Sequence, residues 1–362
     1  MRRVAADPLT LRLHSLLLRD HPAGRPETVA GVVRWFGAMQ AQDMASALWS
    51  LGCRLPGLGL AGVTAALERR EAIRTWPMRG TVHLIPPEDA RWMLDLMGVR
   101  VLAGAARRRA VLGLAEKDAD RGVEVLGAAL RGGGRMTRAE CLRTLTEAGI
   151  DVSGQRGYHM LWYASQHGVT AIAAHVGKEQ TFVRLDECAP EPRRPSREEA
   201  LGIVARRYFR SHGPATIADL ARWTGLTVRD CRAGVAAAGD ALATVGGLVA
   251  EPRLWDAAPP ERDDWLALPG FDEYLLGYRD RSLMLDPEHF AAVVPGNNGV
   301  FQATIVRAGR VVAIWKRTLT KKAAVVTVTP LVTIRAGDRR HVAAALRPFA
   351  DFHGLDLDVR WP

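Results

Sequence analysis

Stretches with apolar residues at helical spacing alternate along this chain with stretches in which apolar and polar residues alternate. Near the N-terminus, Leu9, Leu13, Leu16 and Leu17 recur at the spacing of one helical face, which predicts an amphipathic helix. Residues 73–86 instead alternate, which predicts a β-hairpin. The elements predicted in this part are, in order, helices over 9–19, 28–39, 46–51 and 64–70 and the hairpin over 73–86.

The same order of elements returns twice more. A long helix predicted over 87–109 leads into the second copy, and a proline- and arginine-rich linker at 189–197 leads into the third. The predicted elements of these copies are helices ending at 148 and 166 with a hairpin over 169–185, and then helices over 198–211, 217–224 and 227–237 with a hairpin over 242–249. Two helices followed by a hairpin form the winged-helix pattern, a variant of the helix-turn-helix.

The last part of the chain, from about Trp265, has a different pattern. The elements predicted here are helices over 271–279 and 340–352, strands over 299–306, 311–315 and 324–331, and a final strand over 357–361. We therefore predict an α+β fold with three tandem winged helix-turn-helix units, at residues 1–110, 111–190 and 191–262. A small C-terminal α+β module with a basic β-hairpin is predicted at 263–362.

The charge balance points to a nucleic-acid partner. The 362 residues carry a net charge of +10, and only five of the 49 basic residues are lysines. Arginine binds phosphate oxygens through two parallel hydrogen bonds, so a basic, arginine-rich fold fits a nucleic-acid backbone. A GC-rich genome offers an alternative reason for choosing arginine over lysine, but it explains the excess over acidic residues less well.

Other sequence features exclude several classes of protein. Hydrophobic residues make up 48% of the chain, which is typical of a globular protein. No apolar run has the length of a membrane span, and the N-terminal residues lack a signal-peptide pattern. The four cysteines are far apart and the histidines lack metal-ligand spacing, so we expect no disulfide, no metal and a cytoplasmic location.

Gln40 and Gln42 are the first candidates for chemistry. Two amides at positions i and i+2 share a face only if the backbone is extended. On a shared face, their oxygens and NH2 groups can hold a water molecule or a base edge without introducing a charge. The alternative is that both amides cap a helix end and bond backbone carbonyls. The neighbouring Asp43 is predicted to cap a helix that begins at Met44 rather than to serve as a reserve carboxylate.

Further candidates are ranked below the two glutamines. Thr81 and His83 share a face of a predicted strand, where they would position water or contact phosphate, or where His83 would be an ordinary satisfied histidine. Asp272 and Glu273 adjoin a predicted helix start and are predicted to be caps rather than an acid pair. The predicted DNA contacts fall in three places: Arg79 in the stretch predicted as a hairpin, with a solvated arginine as its alternative; Gln155, Arg156, Tyr158 and His159 at a helix start; and Arg307, Arg310 and Lys316 at the basic hairpin, where a solvated turn is the alternative.

Four motifs together resemble those of the bacterial winged-helix DNA glycosylases typified by AlkZ and YcaQ. They are Gln40-Ala41-Gln42 and the stretches at 79–84, 268–281 and 298–301, in the same order along nearly the whole chain. The Gln-x-Gln form looks like the AlkZ branch, whereas the YcaQ branch has Gln-x-Asp. The resemblance implies that the winged-helix units scaffold a concave basic surface. Ala41 is smaller than the bulky apolar residue usual at that position.

The resemblance implies a monofunctional DNA glycosylase with Gln40 and Gln42 as catalytic residues and no cofactor. Its partner would be double-stranded DNA with cationic N7-alkylguanines, including bulky or crosslinked adducts of genotoxic natural products against which producers protect themselves. A cationic base leaves readily, so positioned amides could suffice. Lysine is scarce, and none lies near Gln40 to act as a lyase nucleophile. We expect a monomer with an open, shallow site, because a tight flipping pocket would not fit a bulky adduct.

The alternative function is a non-enzymatic winged-helix DNA-binding protein, such as a transcriptional regulator. A regulator is usually shorter and carries a dimerisation element and a sensor domain. Three tandem units in one chain instead favour a monomer that wraps a duplex.

Overall fold

The computed structural model describes residues 7–177, 179–257 and 264–362. The N-terminal residues 1–6, Lys178 (one of the five lysines) and residues 258–263, which include the predicted boundary between the third unit and the C-terminal module, lie outside the described residues. Within the described residues the chain combines helices with three β-sheets, so the predicted α+β class is confirmed. No helix in this part of the chain is long and apolar enough to cross a membrane.

The first segment ends in a hairpin, as predicted. Its elements are α1 (Pro8–Ser15), α2 (Val29–Phe36), β1 (Met39–Gln40), α3 (Met44–Gly52), α4 (Leu60–Glu68), β2 (Ile73–Met78) and β3 (Thr81–Ile85). Thr28 caps α2 by accepting a hydrogen bond from the backbone N–H of Gly31, as its position before the apolar run predicts. The two-residue strand β1 is the element that sequence analysis missed here.

The second segment departs most from the prediction. Its elements are α5 (Ala90–Met93), α6 (Val99–Ala103), α7 (Ala105–Leu112), α8 (Glu116–Ala129), β4 (Arg135–Thr137), α9 (Arg138–Glu147), α10 (Arg156–Gln166), β5 (Thr170–Val176), β6 (Glu179–Arg184) and α11 (Leu185–Cys188). The stretch predicted as a single helix over 87–109 is helical but not regular: a π-helical turn at Leu94–Gly98 follows α5, and Gly104 separates α6 from α7. Both breaks contain a glycine, which weakens a helix interior.

The third segment follows the predicted order of three helices and a hairpin closely. Its elements are α12 (Arg197–His212), α13 (Ile217–Thr224), α14 (Val228–Ala238), β7 (Ala243–Val245) and β8 (Leu248–Ala250). Thr216 and Asp219 form a reciprocal capping box at the start of α13, and Gly225 ends it in the left-handed conformation. These local signals explain why this helix was predicted to the residue.

The C-terminal part contains β9 (Trp265–Leu268), α15 (Glu273–Leu276), α16 (Phe290–Val293), β10 (Ala303–Arg307), β11 (Arg310–Leu319), β12 (Ala323–Pro330), α17 (Arg339–His353) and β13 (Asp356–Arg360). The strands form a five-stranded sheet in the order β13-β12-β11-β10-β9. The helix predicted over 271–279 is only one turn long, because the chain leaves the helix at Gly277.

The hairpins of the first two segments share one sheet, which the pattern of the sequence did not reveal. Its strand order is β1-β3-β2-β5-β6-β4, and β2 pairs with β5 across the two segments. A buried apolar cluster includes residues of all four parts, such as Phe36, Phe182, Trp223 and Phe349. The segments therefore pack on a common core, which fixes the elements around Gln40.

A buried ion pair joins the first segment to the C-terminal part. The side chains of Arg54 and Asp272 are 0% and 3% exposed, and the two guanidinium nitrogens lie 2.8 and 2.9 Å from the two carboxylate oxygens. Ser50 donates a further hydrogen bond of 2.8 Å to Asp272. Asp272 also accepts the backbone N–H of Tyr274, so its predicted role as a helix cap is confirmed.

We expect Asp272→Ala to lower the free energy of unfolding by about 3–5 kcal/mol, because it leaves the Arg54 charge buried without a partner. Urea denaturation measures this change. The control is Glu88→Ala, which breaks an ion pair with Arg34. Because the Arg34 side chain is 53% exposed, this substitution should lower the free energy of unfolding by less than about 1 kcal/mol. Equal costs for the two variants would contradict a structural role for the buried pair.

Candidate active site

Strand β1 places Gln40 directly opposite His83 of β3. The two Cα atoms are partners in an antiparallel pair, and the backbone N–H of Ala41 donates to the Val82 carbonyl at 2.8 Å. Directly opposed residues of an antiparallel pair project to the same face, with Cβ atoms about 4.5–5.5 Å apart. The extended backbone required for the two amides to share a face is thus present at Gln40.

Gln42 lies just beyond the end of β1 and is exposed. Its side-chain oxygen accepts a hydrogen bond of 3.2 Å from the backbone N–H of Val82. The side chain therefore takes the place of a strand carbonyl and is held beside β3. Gln42 does not cap a helix, and that role belongs to Asp43, whose carboxylate accepts the Ser46 N–H at 3.0 Å at the start of α3, as predicted.

His83 is fully buried, with 0% of its surface exposed. Its Nδ1 lies 2.8 Å from the carbonyl oxygen of Thr81. A carbonyl can only accept, so Nδ1 carries the hydrogen and Nε2 of the neutral ring has a free lone pair. Burial, together with the nearby Arg79 charge, lowers the pKa of His83 to about 4, so the ring is neutral near pH 7.

Three polar atoms on this side of the β1–β3 pair are buried and have no hydrogen-bond partner among the described residues. They are Oε1 of Gln40, Oγ1 of Thr81 and Nε2 of His83. Thr81 and His83 alternate along β3 and therefore share a face, which is the face of Gln40. A buried polar group without a partner costs about 1–3 kcal/mol, and such groups call for a functional explanation when they cluster.

Glu273 holds the backbone of Gln40 in place through a hydrogen bond, a role that sequence analysis missed. It is 1% exposed, and its Oε1 accepts the backbone N–H of Gln40 at 2.9 Å. Its Oε2 accepts hydrogen bonds from Nε2 of His212 at 3.2 Å and from Nε1 of Trp223 at 3.0 Å. The prediction that Glu273 is a helix cap is therefore wrong, because its donors come from distant parts of the chain.

The hydrogen bonds decide the charge of Glu273. Burial raises the pKa of this carboxyl, but the hydrogen bonds from His212 and from the Gln40 backbone outweigh burial and lower the pKa to about 2. The site thus contains a fixed negative charge next to the Gln40 backbone. Gly277 allows the close approach of His212, since a Cβ at that position would lie 2.2 Å from the imidazole Cδ2.

Three arginines interact electrostatically near the site, and one of them, Arg79, also interacts with Glu273. Arg79 occupies the tight β2–β3 turn with Gly80, both with positive φ, and its Nε is buried without a partner among the described residues. Burial lowers the pKa of Arg79, and the charge of the exposed Arg222 on α13 lowers it further. The pKa of Arg281 is lowered by burial and then by both of these arginines. Three separate segments therefore bring positive charge to one place.

The candidates at the start of α10 are only partly placed for DNA contact. Gln155 and Tyr158 are exposed, and Gln155 accepts a hydrogen bond from Arg108. Arg156 is engaged locally with Ser153 and with Asp151, at 2.9 and 3.1 Å.

The placement of His159 corrects its expected role as a DNA contact. The side chain is 4% exposed and its ring stacks on Tyr163, with centroids 5.9 Å apart. In this position the ring is buried against the aromatic side chain of Tyr163 and cannot contact a phosphate directly.

The basic hairpin between β10 and β11 is packed against the protein instead of projecting from it. Gly309 at its turn is buried, and its carbonyl accepts the hydroxyl of Tyr274. Arg307 lies 3.5 Å from Asp338 and 5.0 Å from the centre of the Trp265 ring. The expected insertion of this turn into a DNA groove is thus not supported, although Arg310 and Lys316 are exposed.

Comparison with known proteins gives a consistent result. A family model described as DNA glycosylase AlkZ-like matches residues 33–352. A protein of Streptomyces sahachiroi named interstrand DNA cross-link repair glycosylase is 27% identical over 312 residues, which are 82% of this chain and 83% of that protein. The solved structure of Streptomyces sahachiroi DNA glycosylase AlkZ has a TM-score of 0.77 at 24% identity, covering 98% of each chain, and shows that the fold is shared.

We expect ionised Glu273 to stabilise the fold in a pH-dependent way. Its pKa in the folded protein, about 2, lies below the ordinary value of 4.5, so its contribution is present above about pH 4.5 and is lost as the pH falls towards 2. A shift of this size corresponds to on the order of 3 kcal/mol. The measurement is the free energy of unfolding of wild type and Glu273→Gln at a series of pH values, with Glu147→Gln as the exposed control.

The stability difference between wild type and Glu273→Gln should be largest near neutral pH and should shrink on acidification. A difference that does not change with pH would show that the carboxylate is not ionised in the fold.

Proposed function

This chain belongs to the AlkZ-like family and is a DNA glycosylase of DNA repair, and we propose that it hydrolyses the N-glycosidic bond of cationic N7-alkylguanines in duplex DNA. The proposal includes bulky and interstrand-crosslinked adducts. The observation that carries it is the buried, unpartnered Oε1 of Gln40, on one face with Thr81 and His83. This is the arrangement expected of groups that orient a small polar reactant.

The uncharged character of the two amides fits a cationic lesion. An N7-alkylated guanine carries a positive charge and leaves as a neutral base, so its departure needs no acid. The enzyme must hold water near C1′ of the sugar and must not destabilise the oxocarbenium-like transition state. The amide oxygens of Gln40 and Gln42 do both by position and dipole, and the ionised Glu273 adds a negative field beneath them.

Binding of duplex DNA is assigned to the arginine cluster of Arg79, Arg222 and Arg281 and to the exposed Gln155 and Tyr158. Guanidinium groups position a DNA backbone through its phosphates. We assign the three segments with two helices and a hairpin to tandem winged-helix units that present a concave basic surface to the duplex. One chain with three such units can wrap DNA as a monomer in the cytoplasm.

The exposure of Gln42 favours an open site over a closed base pocket. An open site accommodates a bulky adduct, which a tight flipping pocket would exclude. The name of the Streptomyces sahachiroi relative, a repair glycosylase for interstrand cross-links, supports a substrate class of this size. We therefore propose adducts of genotoxic natural products as substrates and self-protection or repair as the role.

Gln40→Ala and Gln42→Ala are expected to lower the single-turnover excision rate by about 10²-fold or more, because each removes an oriented dipole at the reacting centre. The substrate is duplex DNA with one N7-methylguanine, and the readout is strand cleavage at the abasic site after mild alkali. Gln180→Ala, which changes a half-buried glutamine of β6, is the control.

Excision by the wild type and by Gln180→Ala, but not by the two site variants at equal DNA affinity, supports the proposal. Full activity of Gln40→Ala would contradict the assigned site. An active wild type on a crosslinked duplex but not on N7-methylguanine would restrict the substrate to bulky adducts.

Arg222→Ala should weaken binding to duplex DNA uniformly across sequences and should reduce the slope of log affinity against log salt by about one. The reason is the loss of one phosphate contact by an exposed arginine in the cluster. Fluorescence anisotropy at several salt concentrations measures both quantities, and Arg347→Ala on α17 is the control. An unchanged slope would remove Arg222 from the interface.

A further inference from the structure

We propose that Nε2 of His83 accepts the proton of the water molecule that attacks C1′ of the lesion nucleotide, while the glutamine amides orient that water. The inference rests on the proposed glycosylase function and adds a chemical role that neither amide can supply. An amide oxygen accepts a hydrogen bond, but it is too weakly basic to take a proton from water.

The tautomer of His83 is fixed by the backbone. The Thr81 carbonyl, 2.8 Å from Nδ1, holds the hydrogen on that nitrogen, so the lone pair of the ring is on Nε2. Nε2 is buried and has no partner among the described residues, in a side chain that is 0% exposed. In the described part of the chain an unpartnered Nε2 also occurs at His21, but at His83 it lies on one face with two further unpartnered polar atoms, Oε1 of Gln40 and Oγ1 of Thr81.

The groups on the same face as Nε2 could supply the hydrogen bonds that orient a water molecule. Gln40 lies directly across the strand pair, with its Oε1 also buried and unpartnered. Thr81 lies on the same face of β3, and its hydroxyl oxygen is also buried and has no hydrogen-bond partner among the described residues. One water can donate a hydrogen bond to Gln40 and one to His83, and can accept one from Thr81. Its remaining lone pair is then free to attack carbon.

The carboxylates near the site are already engaged. Both oxygens of Glu273 accept hydrogen bonds, from the Gln40 backbone and from His212 and Trp223. Asp43 caps α3 and lies 4.0 Å from Arg317. Among the described groups named here, Nε2 of His83 is therefore the one with a lone pair that no hydrogen bond engages.

The charges that face the ring suit the role. Arg79 opposes protonation of His83, and Glu273 favours it. With burial, the result is a ring that is neutral at rest, and the fixed Glu273 charge offsets the imidazolium once it forms. Neutrality at rest matters because an imidazolium would repel the cationic guanine and the developing charge on the sugar.

The reaction balances without a cofactor. The bond between C1′ and N9 breaks, and its electron pair leaves with the purine, which loses its formal positive charge. The water oxygen forms a bond to C1′ as one of its protons passes to Nε2 of His83. The products are a neutral alkylguanine, an abasic site and an imidazolium, which returns its proton to solvent.

Two substitutions at His83 separate proton transfer from positioning. His83→Asn keeps an N–H donor for the Thr81 carbonyl but removes Nε2, and His83→Gln places an amide oxygen near the position of Nε2. Both should lower the single-turnover excision rate of N7-methylguanine by about 10²–10⁴-fold, the usual contribution of general acid–base catalysis. DNA affinity should stay unchanged.

The matched control is His21→Asn. His21 is 4% exposed, its Nε2 has no hydrogen-bond partner among the described residues, and burial lowers its pKa to about 4. It lies outside the β1–β3 pair, so its replacement should leave the excision rate unchanged. Thermal unfolding of all variants identifies those that are folded at the assay temperature.

A further readout needs no variant. If a proton moves in the transition state, excision by the wild type is slower in D2O than in H2O, whereas excision by a folded His83 variant shows no such difference. A wild type that excises at equal rates in both solvents would overturn the inference. Full activity of His83→Gln would overturn it as well, because an amide can position water but cannot take its proton. Failure of the wild type to excise either N7-methylguanine or a crosslinked adduct would instead reject the proposed function itself.

Discussion

The carboxylate of Glu273 connects three distant parts of the chain at the place where the two glutamines lie. It fixes the backbone of Gln40, and it receives hydrogen bonds from His212 at the end of α12 and from Trp223 of α13. A buried charge is tolerated only when its hydrogen bonds are satisfied, so the position of each donor is constrained by the others. The two-residue strand β1 is too short to be held by its own strand pairing alone, and the hydrogen bond from the Gln40 backbone to Glu273 fixes its position.

The chemistry that follows depends on the uncharged side chains that face the site and on the sign of the local charge. Gln40 and Gln42 are neutral, and the ring of His83 is kept neutral by burial. The fixed charge of Glu273 next to the Gln40 backbone is negative, whereas the positive charges of Arg79, Arg222 and Arg281 lie close enough to one another to interact. Such a site favours a substrate that is already cationic, because its base leaves without an acid and the site has only to hold and deprotonate the attacking water.

The parts of the fold that could be predicted are those whose signals are local. The capping box of Thr216 and Asp219 with the terminal Gly225 defined α13, and the spacing of Thr81 and His83 predicted their shared face. The motifs around Gln40-Ala41-Gln42 indicated the family, which the comparisons confirm. Glu273 could not be identified in this way, because its donors lie at positions 40, 212 and 223. The pairing of Gln40 with His83 depends on a strand of two residues, for which sequence periodicity gives no signal.

The most direct test of the proposed site is a crystal structure of the enzyme with a duplex that contains a cationic imino-sugar nucleotide, which mimics the oxocarbenium ion. We expect the imino-sugar to lie against the β1–β3 pair, with one ordered water within about 2.6–3.2 Å of both Oε1 of Gln40 and Nε2 of His83. That water should face the carbon equivalent to C1′. A sugar bound elsewhere, or a water that contacts neither atom, would contradict the assignment of this site.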